Sequence, residues 1–151
     1  TCNSILANGS LVEIGQSSLL RGLTFSPSGG TTAIATGYKP EQSTTSTTNV
    51  KASPHWLVTR AGQVRVEAQL KRDGTMGVYM EIWKNGAITG SALYTSSTSY
   101  ETKGANVSVA AGDYLTVYFR AEGGSTTVYI KDIYIKTYDP YPGFITTMEK
   151  T

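Results

Sequence analysis

The feature that most constrains the fold is a strict alternation of apolar and polar residues over residues 62–71. Val64, Val66, Ala68 and Leu70 fall on one face of an extended chain, and Gln, Arg, Glu and Lys side chains fall on the other. This period of two is typical of a strand with one face in a core and one in solvent. The segment therefore predicts a sheet whose two faces differ in polarity.

Similar segments follow, and turn-forming residues separate them. The pair at 73–74, Asp-Gly, predicts a turn in a hairpin that leads to a strand at 76–83. The pair at 85–86, Asn-Gly, predicts a second tight turn. Residues 114–121 again alternate, with Leu115, Val117 and Phe119 expected to point inward.

The last strand-like segment, residues 126–136, changes parity partway. Val128 and Ile130 share one face, whereas Ile133 and Ile135 fall on the other. Because one extra residue flips every later side chain, we expect a β-bulge near 131–132 that returns the later pair to the core.

Strand and turn units of about 8 to 13 residues, without a helical period, predict an all-β antiparallel sandwich of the jelly-roll kind. We expect an extended N-terminal arm and linker over 1–49, the β-sandwich domain over 50–137 and a C-terminal surface tail over 138–151. The tail combines two prolines and three aromatic residues within 138–145, a composition typical of neither a strand interior nor a helix.

The proposed arm has too few large apolar residues for a core of its own. Its first fifty residues hold 17 Ser or Thr and four charged residues, and we interpret 42–49 as an extended linker. Short apolar pieces within it predict strands that bind a partner, since an added strand binds through its main chain and tolerates small side chains. The predicted partner-binding residues are Leu11, Val12, Ile14, Leu19, Leu20, Leu23 and Phe25.

The charge balance and the rarity of reactive side chains exclude several classes of function. A net charge of +2 without clustered basic residues gives no support for nucleic-acid binding. With one His and one Cys, the chain lacks the usual ligands of a zinc site and the usual base for a nucleophile, so we expect no catalytic residues, no cofactor and no metal. No apolar run is long enough for a membrane span, and no leader-like segment is present, which predicts a soluble, unexported product.

Three further groups of residues are weaker candidates for a functional site. His55 and Trp56 resemble the start of a ligand pocket, but a strand entry with Trp56 covering one end of the sandwich is favoured. The acids Asp73, Asp113 and Asp132 offer oxygen ligands for calcium, yet no loop has the spacing of a dedicated cation site. A glycan hydrolase that uses Glu67 or Glu81 with an Asp is the weakest hypothesis, because both Glu residues are expected on a solvated outer face.

The aromatic residues leave two functions open. Ten tyrosines are many for 151 residues, and several fall within the predicted strands. Aromatic rings on an outer sheet face either stack on sugars or meet a neighbouring subunit, and the subunit interface is favoured. The candidate residues for an interface or a glycan face are Tyr79, Trp83, Tyr118, Tyr129 and Tyr134.

The layout of residues 62–68, 78–86, 107–118 and 128–133, with its Lys-Asn-Gly hairpin and Ala-Ala-Gly-Asp turn, resembles a known family pattern. It is similar to small jelly-roll modules of tailed-bacteriophage virion proteins, and more loosely to C1q-like and TNF-like sandwiches. The resemblance implies a non-enzymatic, structural virion protein, assembled in the host cytoplasm, that forms a homotrimer and binds the major capsid protein or another virion protein. A capsid decoration (cement) protein that stabilises the shell through its arm is the main hypothesis. A receptor- or carbohydrate-binding module of a tail fibre is the alternative.

Overall fold

The computed structural model describes residues 33–137 and 145–148, with side chains described for 36–137. Within these ranges the chain forms β-strands and no helix, so it has no helix of a length and hydropathy that would cross a membrane there. The strands in chain order are β1 (Ala33–Tyr38), β2 (Gln42–Thr44), β3 (Val50–Lys51), β4 (His55–Val58), β5 (Gly62–Asp73), β6 (Val78–Lys84), β7 (Ala87–Ile88), β8 (Leu93–Thr95), β9 (Glu101–Val109), β10 (Tyr114–Ala121), β11 (Thr127–Thr137) and β12 (Ile145–Met148).

The strands form two sheets. The five-stranded sheet has the order β1-β11-β5-β9, with β2 also paired to β11. The seven-stranded sheet has the order β12-β4-β10-β6-β7, with β3 also paired to β10 and β8 to β6. These pairings are antiparallel. The predicted all-β antiparallel sandwich is confirmed.

One hydrophobic core lies between the sheets and is built from alternate residues of the long strands. This core includes Leu70 of β5, Ile135 of β11, Met80 of β6 and Phe119 of β10, and all four are fully buried. Burial of such a side chain stabilises the fold by about 1.5–3 kcal/mol. The inward parity predicted for β5 and β10 is confirmed, and it leaves the opposite side chains of each strand on an outer face.

The bulge predicted in the last strand is confirmed. On β5 the register advances from Gln69 to Glu67, while on β11 it advances from Lys131 to Tyr134, so β11 carries one extra residue. Asp132 takes the extra position with a φ of 49°. The bulge returns the later apolar residues to the core and moves the Asp132 side chain onto the outer face.

Replacing Asp132 with alanine is expected to lower the free energy of unfolding by about 1 kcal/mol, because a Cβ without a local hydrogen-bonding group is disfavoured in the left-handed region. Asp132→Asn and Asp132→Gly retain residues that tolerate this φ and are the matched controls. Urea unfolding measures all three. An equal loss in the three variants would show that the side chain, rather than its backbone conformation, determines the effect.

The two predicted turns differ in outcome. Asn85 and Gly86 have φ values of 54° and 83°, and they connect Lys84 to its partner Ala87, which makes the expected tight hairpin turn. The hairpin predicted around 73–74 is wrong, since β5 and β6 belong to different sheets. Pairing of β5 with β9 and β11 occupies both of its edges, so the chain crosses to the other sheet instead.

Both ends of the predicted sandwich require correction. Residues 33–38 and 42–44, expected in the arm and linker, form β1 and β2 against β11. Residues 145–148, expected in a surface tail, form β12 against β4. Hydrogen bonding to a neighbouring strand, rather than a clear alternation of apolar and polar residues, places these short segments in the sheets. Residues 1–32, 138–144 and 149–151 lie outside the described residues.

Candidate functional site

A group of aromatic side chains lies on the outer face of the seven-stranded sheet, where β6, β8 and β10 run side by side. Their apolar neighbours along each strand point into the core, and this parity places the rings outward. We call this surface the aromatic face, and its members are Tyr79, Glu81, Trp83, Tyr94, Tyr118 and Arg120.

The rings form two close pairs. The centroids of Trp83 and Tyr118 are 4.8 Å apart at an interplanar angle of 46°, and those of Tyr79 and Tyr94 are 5.0 Å apart at 49°. The Arg120 guanidinium lies 4.2 Å from the centroid of the Tyr79 ring. Tyr79 and Trp83 are four residues apart on β6, which corresponds to roughly 13 Å along the strand. The face therefore has the length of a short oligosaccharide rather than of one ring.

Glu81 occupies the centre of the aromatic face, between Tyr79 and Trp83 along β6 and opposite Tyr118 on β10. Only 8% of the residue is exposed. Its Oε2 accepts hydrogen bonds from Asn49 Nδ2 at 2.7 Å and Trp83 Nε1 at 2.9 Å.

The other carboxylate oxygen of Glu81, Oε1, lies 3.6 Å from Arg120 Nε. Asn49 precedes β3 and reaches Glu81 across β10. A fold tolerates a buried carboxylate when hydrogen bonds and a nearby cation compensate for the loss of its hydration. Glu81 thereby fixes the indole of Trp83 in one orientation.

Tyr94 is an exposed ring that is nevertheless held in place. It is 41% exposed, and its hydroxyl donates to Glu122 Oε2 at 3.1 Å. The same Glu122 oxygen accepts from the amide of Gly77 at 2.8 Å. Gly77 packs directly under the ring, and a side chain there would collide with it. Fixing an exposed aromatic ring lowers the entropy lost when it binds a ligand.

A second polar group lies at the β4 end of the sheet. Thr116 Oγ1 and His55 Nδ1 are 2.7 Å apart, and the His55 ring packs edge-on against Tyr114 with centroids 5.1 Å apart. Burial and the positive charge of Lys51 lower the pKa of His55, which favours the neutral imidazole. Trp56 beside it, in β4, is fully buried in the core.

The structure divides the predicted aromatic candidates between two faces. Tyr79, Trp83 and Tyr118 lie together on the aromatic face. Tyr129 and Tyr134 lie on the outer face of the five-stranded sheet, where the ring of Tyr129 contacts Lys71 Nζ at 4.8 Å from its centroid. The proposed arm residues from Leu11 to Phe25 lie outside the described residues, so their docking role and the homotrimer stay predictions.

The predicted acidic candidates also have defined places. Glu67 and Glu81 point outward as expected, but the prediction that they are solvated is wrong because both are covered by hydrogen-bonding partners. Asp113 Oδ1 accepts from Asn85 Nδ2 at 2.8 Å, in the turn before β10. In the part of the chain that the structure describes, no group of three or more His, Cys, Asp or Glu side chains has the arrangement of metal ligands.

Sequence reasoning missed Glu81, Arg120 and Asn49 as parts of one site. Glu81 and Asn49 are 32 residues apart in the chain, and strand pairing through β10 brings them together. The outward parity of Glu81 between two aromatic residues was the available signal. The burial of Glu81 depends on Asn49 and Arg120, and the strand register that brings these two residues to it cannot be read from the sequence.

Acidification is expected to destabilise the protein through carboxylates whose pKa is lowered in the fold. Burial raises the pKa of Glu67, but hydrogen bonds from Lys136 and Arg65 outweigh it and leave the pKa below its usual value. A hydrogen bond from Asn85, with another from the Ala110 amide, lowers the pKa of Asp113. As the pH falls, the unfolded chain therefore binds more protons than the folded chain, and the folded state loses stability.

The stability that these two groups supply is complete above the unfolded pKa, about 4, and is lost as the pH falls through the folded values. Urea unfolding between roughly pH 6 and pH 3 measures the loss. The Glu67→Gln variant is expected to show a smaller decrease than the original chain over that window, and an identical decrease would contradict the assignment to Glu67.

No protein-family model and no curated protein matches this chain. Solved structures that are similar include a family 35 carbohydrate binding module from Clostridium thermocellum, with 12% identity over 66% of this chain and 95% of that one, at a TM-score of 0.47. The C-terminal domain of the sugar-binding protein EclA gives 10% identity, coverage of 76% and 89%, and a TM-score of 0.47. Rabbit GITRL gives 17% identity, coverage of 56% and 75%, and a TM-score of 0.35. None of these places the chain in a family.

Proposed function

We propose that this chain is a non-catalytic carbohydrate-binding module that holds a short oligosaccharide across the aromatic face. The observation that carries the proposal is the placement of a buried carboxylate, Glu81, between outward aromatic rings. Sugar rings have apolar C–H faces, which pack on aromatic rings, and hydroxyl edges, which need fixed hydrogen-bonding partners. The aromatic face supplies both kinds of surface.

The geometry of Trp83 and Glu81 fits this chemistry. The Glu81 hydrogen bond holds the indole ring of Trp83, so little side-chain freedom remains to be lost on stacking. Glu81 is only 8% exposed, so it acts by holding Trp83 and Arg120 in place. The partly exposed Arg120 guanidinium donates charge-assisted hydrogen bonds to hydroxyl groups. A few fixed polar groups among aromatic side chains are typical of small-ligand sites.

The buried carboxylate argues against the subunit interface that the sequence favoured. The centres of protein interfaces are depleted in Glu, although aromatic residues and Arg are enriched there. Here Glu81 lies in the middle of the ring cluster, opposite Tyr118, and Arg120 lies beside it, opposite Tyr79. A hydroxyl-rich ligand is the better complement to such a centre.

Binding of the full chain to an array of oligosaccharides, followed by affinity electrophoresis in gels containing matched polysaccharides, tests the proposal. The two tryptophans can be distinguished by quenching of their fluorescence, because Trp56 is fully buried whereas Trp83 is half-buried at the proposed site. A bound glycan is expected to protect Trp83 from acrylamide quenching. Absence of binding across the array, or binding that leaves the quenching of Trp83 unchanged, would overturn the proposal.

A further inference from the structure

A depression on the opposite side of the sandwich has the features of a second ligand site. It lies on the outer face of the five-stranded sheet, over β5 and between β9 and β11, and encloses about 280 Å³. We call it the polar depression, and its side chains are Glu67, Gln69, Thr102, Asp132, Tyr134 and Lys136.

Two irregularities of the sheet shape the depression. On the β9 side, Gly104 lies opposite Glu67, and a Cβ at Gly104 would be 2.5 Å from the Cβ of Glu67. No side chain therefore stands there beside Glu67. On the β11 side, the bulge places Asp132 on the rim. Bulges commonly re-aim a side chain in this way next to functional sites.

The Tyr134 ring forms a fixed wall of the depression. Its edge lies against the backbone of Gly37 in β1, where a Cβ would be 2.5 Å from the ring. The ring is half-buried, so part of its surface remains accessible from the depression. A rigid, partly exposed ring beside hydrogen-bonding groups suits a ligand that has one apolar face and polar edges.

The polar groups around this ring are both acceptors and donors. Glu67 is held by Lys136 and by Arg65, whose Nε lies 3.0 Å from Oε2. Asp132 Oδ2 lies 3.9 Å from Lys131 Nζ. Each acid has a cation beside it, so the site has no large net charge that would favour an ion. The Gln69 amide and the Thr102 hydroxyl add groups that both donate and accept.

We propose that the polar depression binds a single neutral sugar residue or a polyol of similar size. Its volume is near the lower end of the range of volumes found for small-molecule sites, which suits one sugar ring rather than an oligosaccharide. This second site is formed by residues that are not part of the aromatic face, so sugar binding in the depression does not depend on the proposed function. If the aromatic face also binds glycan, which rests on the proposed function, one molecule has sites on opposite faces and bridges two glycan chains with a gain in avidity.

Amide chemical shifts of the ¹⁵N-labelled full chain, titrated with D-glucose, D-galactose, D-xylose and N-acetyl-D-glucosamine, test the proposal. At least one sugar is expected to produce saturable shifts at 67–69, 102–104 and 131–136. The isosteric double change Glu67→Gln with Asp132→Asn is expected to weaken this binding at least tenfold. Asn tolerates the backbone of Asp132, and an unchanged spectrum elsewhere reports that the variant folds.

The positions of the shifts separate this proposal from the proposed function, and a matched variant tests its specificity. Glu101→Gln removes a carboxylate from the same sheet outside the depression and is expected to leave the affinity unchanged. Gln69→Ala is a second test that leaves the Glu67 ion pairs intact, and a loss of affinity is expected. Absence of saturable shifts for all four sugars, shifts unaffected by the double change, or shifts confined to 79–83 and 116–120 would each overturn the second site. The last result alone would still support the aromatic face.

Discussion

Replacing Trp83 with alanine is expected to weaken binding of the oligosaccharide about thirtyfold or more. Trp83 contributes the largest ring of the aromatic face, and its orientation is already fixed by Glu81. Removal of a well-packed aromatic anchor from a binding site commonly costs about 2 kcal/mol or more, which corresponds to this change in affinity. Isothermal titration calorimetry with the best glycan from the array measures it.

Matched tyrosine variants make the prediction specific to one face. Tyr118→Ala removes the partner ring of Trp83 and is expected to lower the affinity as well. Tyr129→Ala removes the same side chain from the outer face of the other sheet and is expected to leave the affinity for the oligosaccharide unchanged. If Tyr129→Ala weakened binding as much as Tyr118→Ala, the aromatic face would not be the site.

The stability of the Trp83 variant provides an internal check. Trp83 is only half-buried and points away from the core, so its removal should affect unfolding far less than removal of a core aromatic residue. A loss of binding together with a preserved urea midpoint would attribute the effect to the ligand contact. A large loss of stability would instead indicate that Trp83 serves mainly to cover Glu81.

The sequence predicted those parts of the fold that depend on local alternation. The inward faces of β5 and β10, the bulge at Asp132 and the turn at Asn85 all follow from side-chain parity or from residues that tolerate positive φ. These features depend on neighbours within a few positions of the chain. Each of these features could therefore be predicted from the local sequence.

Long-range pairing explains what the sequence did not reveal. Gln42–Thr44 contains no large apolar side chain, and its place in the five-stranded sheet comes from hydrogen bonding to β11. The candidate site has the same dependence on distant strands. The rings were identified one by one, but their division between two faces and the burial of Glu81 required the register of β3, β6 and β10.

Removing residues 1–49 is expected to lower the free energy of unfolding by about 4 kcal/mol or more relative to removing residues 1–31. The longer deletion eliminates β1 and β2, which pair with β11 at five and three residue positions. At about 0.5–1.5 kcal/mol for each net hydrogen bond, this loss is a large part of the 5–15 kcal/mol that stabilises a typical domain. Urea unfolding of the two truncated chains measures the difference, and equal midpoints would contradict a structural role for these strands.

The longer deletion also removes Asn49, which donates to Glu81 Oε2 at 2.7 Å. A carboxylate that loses a hydrogen bond while buried is destabilised, and here it also orients Trp83. The 1–49 deletion is therefore expected to weaken glycan binding for a reason unrelated to docking by the N-terminal segment. Only the 1–31 deletion isolates the predicted partner-binding residues from Leu11 to Phe25. If that shorter chain binds glycan with unchanged affinity, the residues from Leu11 to Phe25 are not needed for glycan binding.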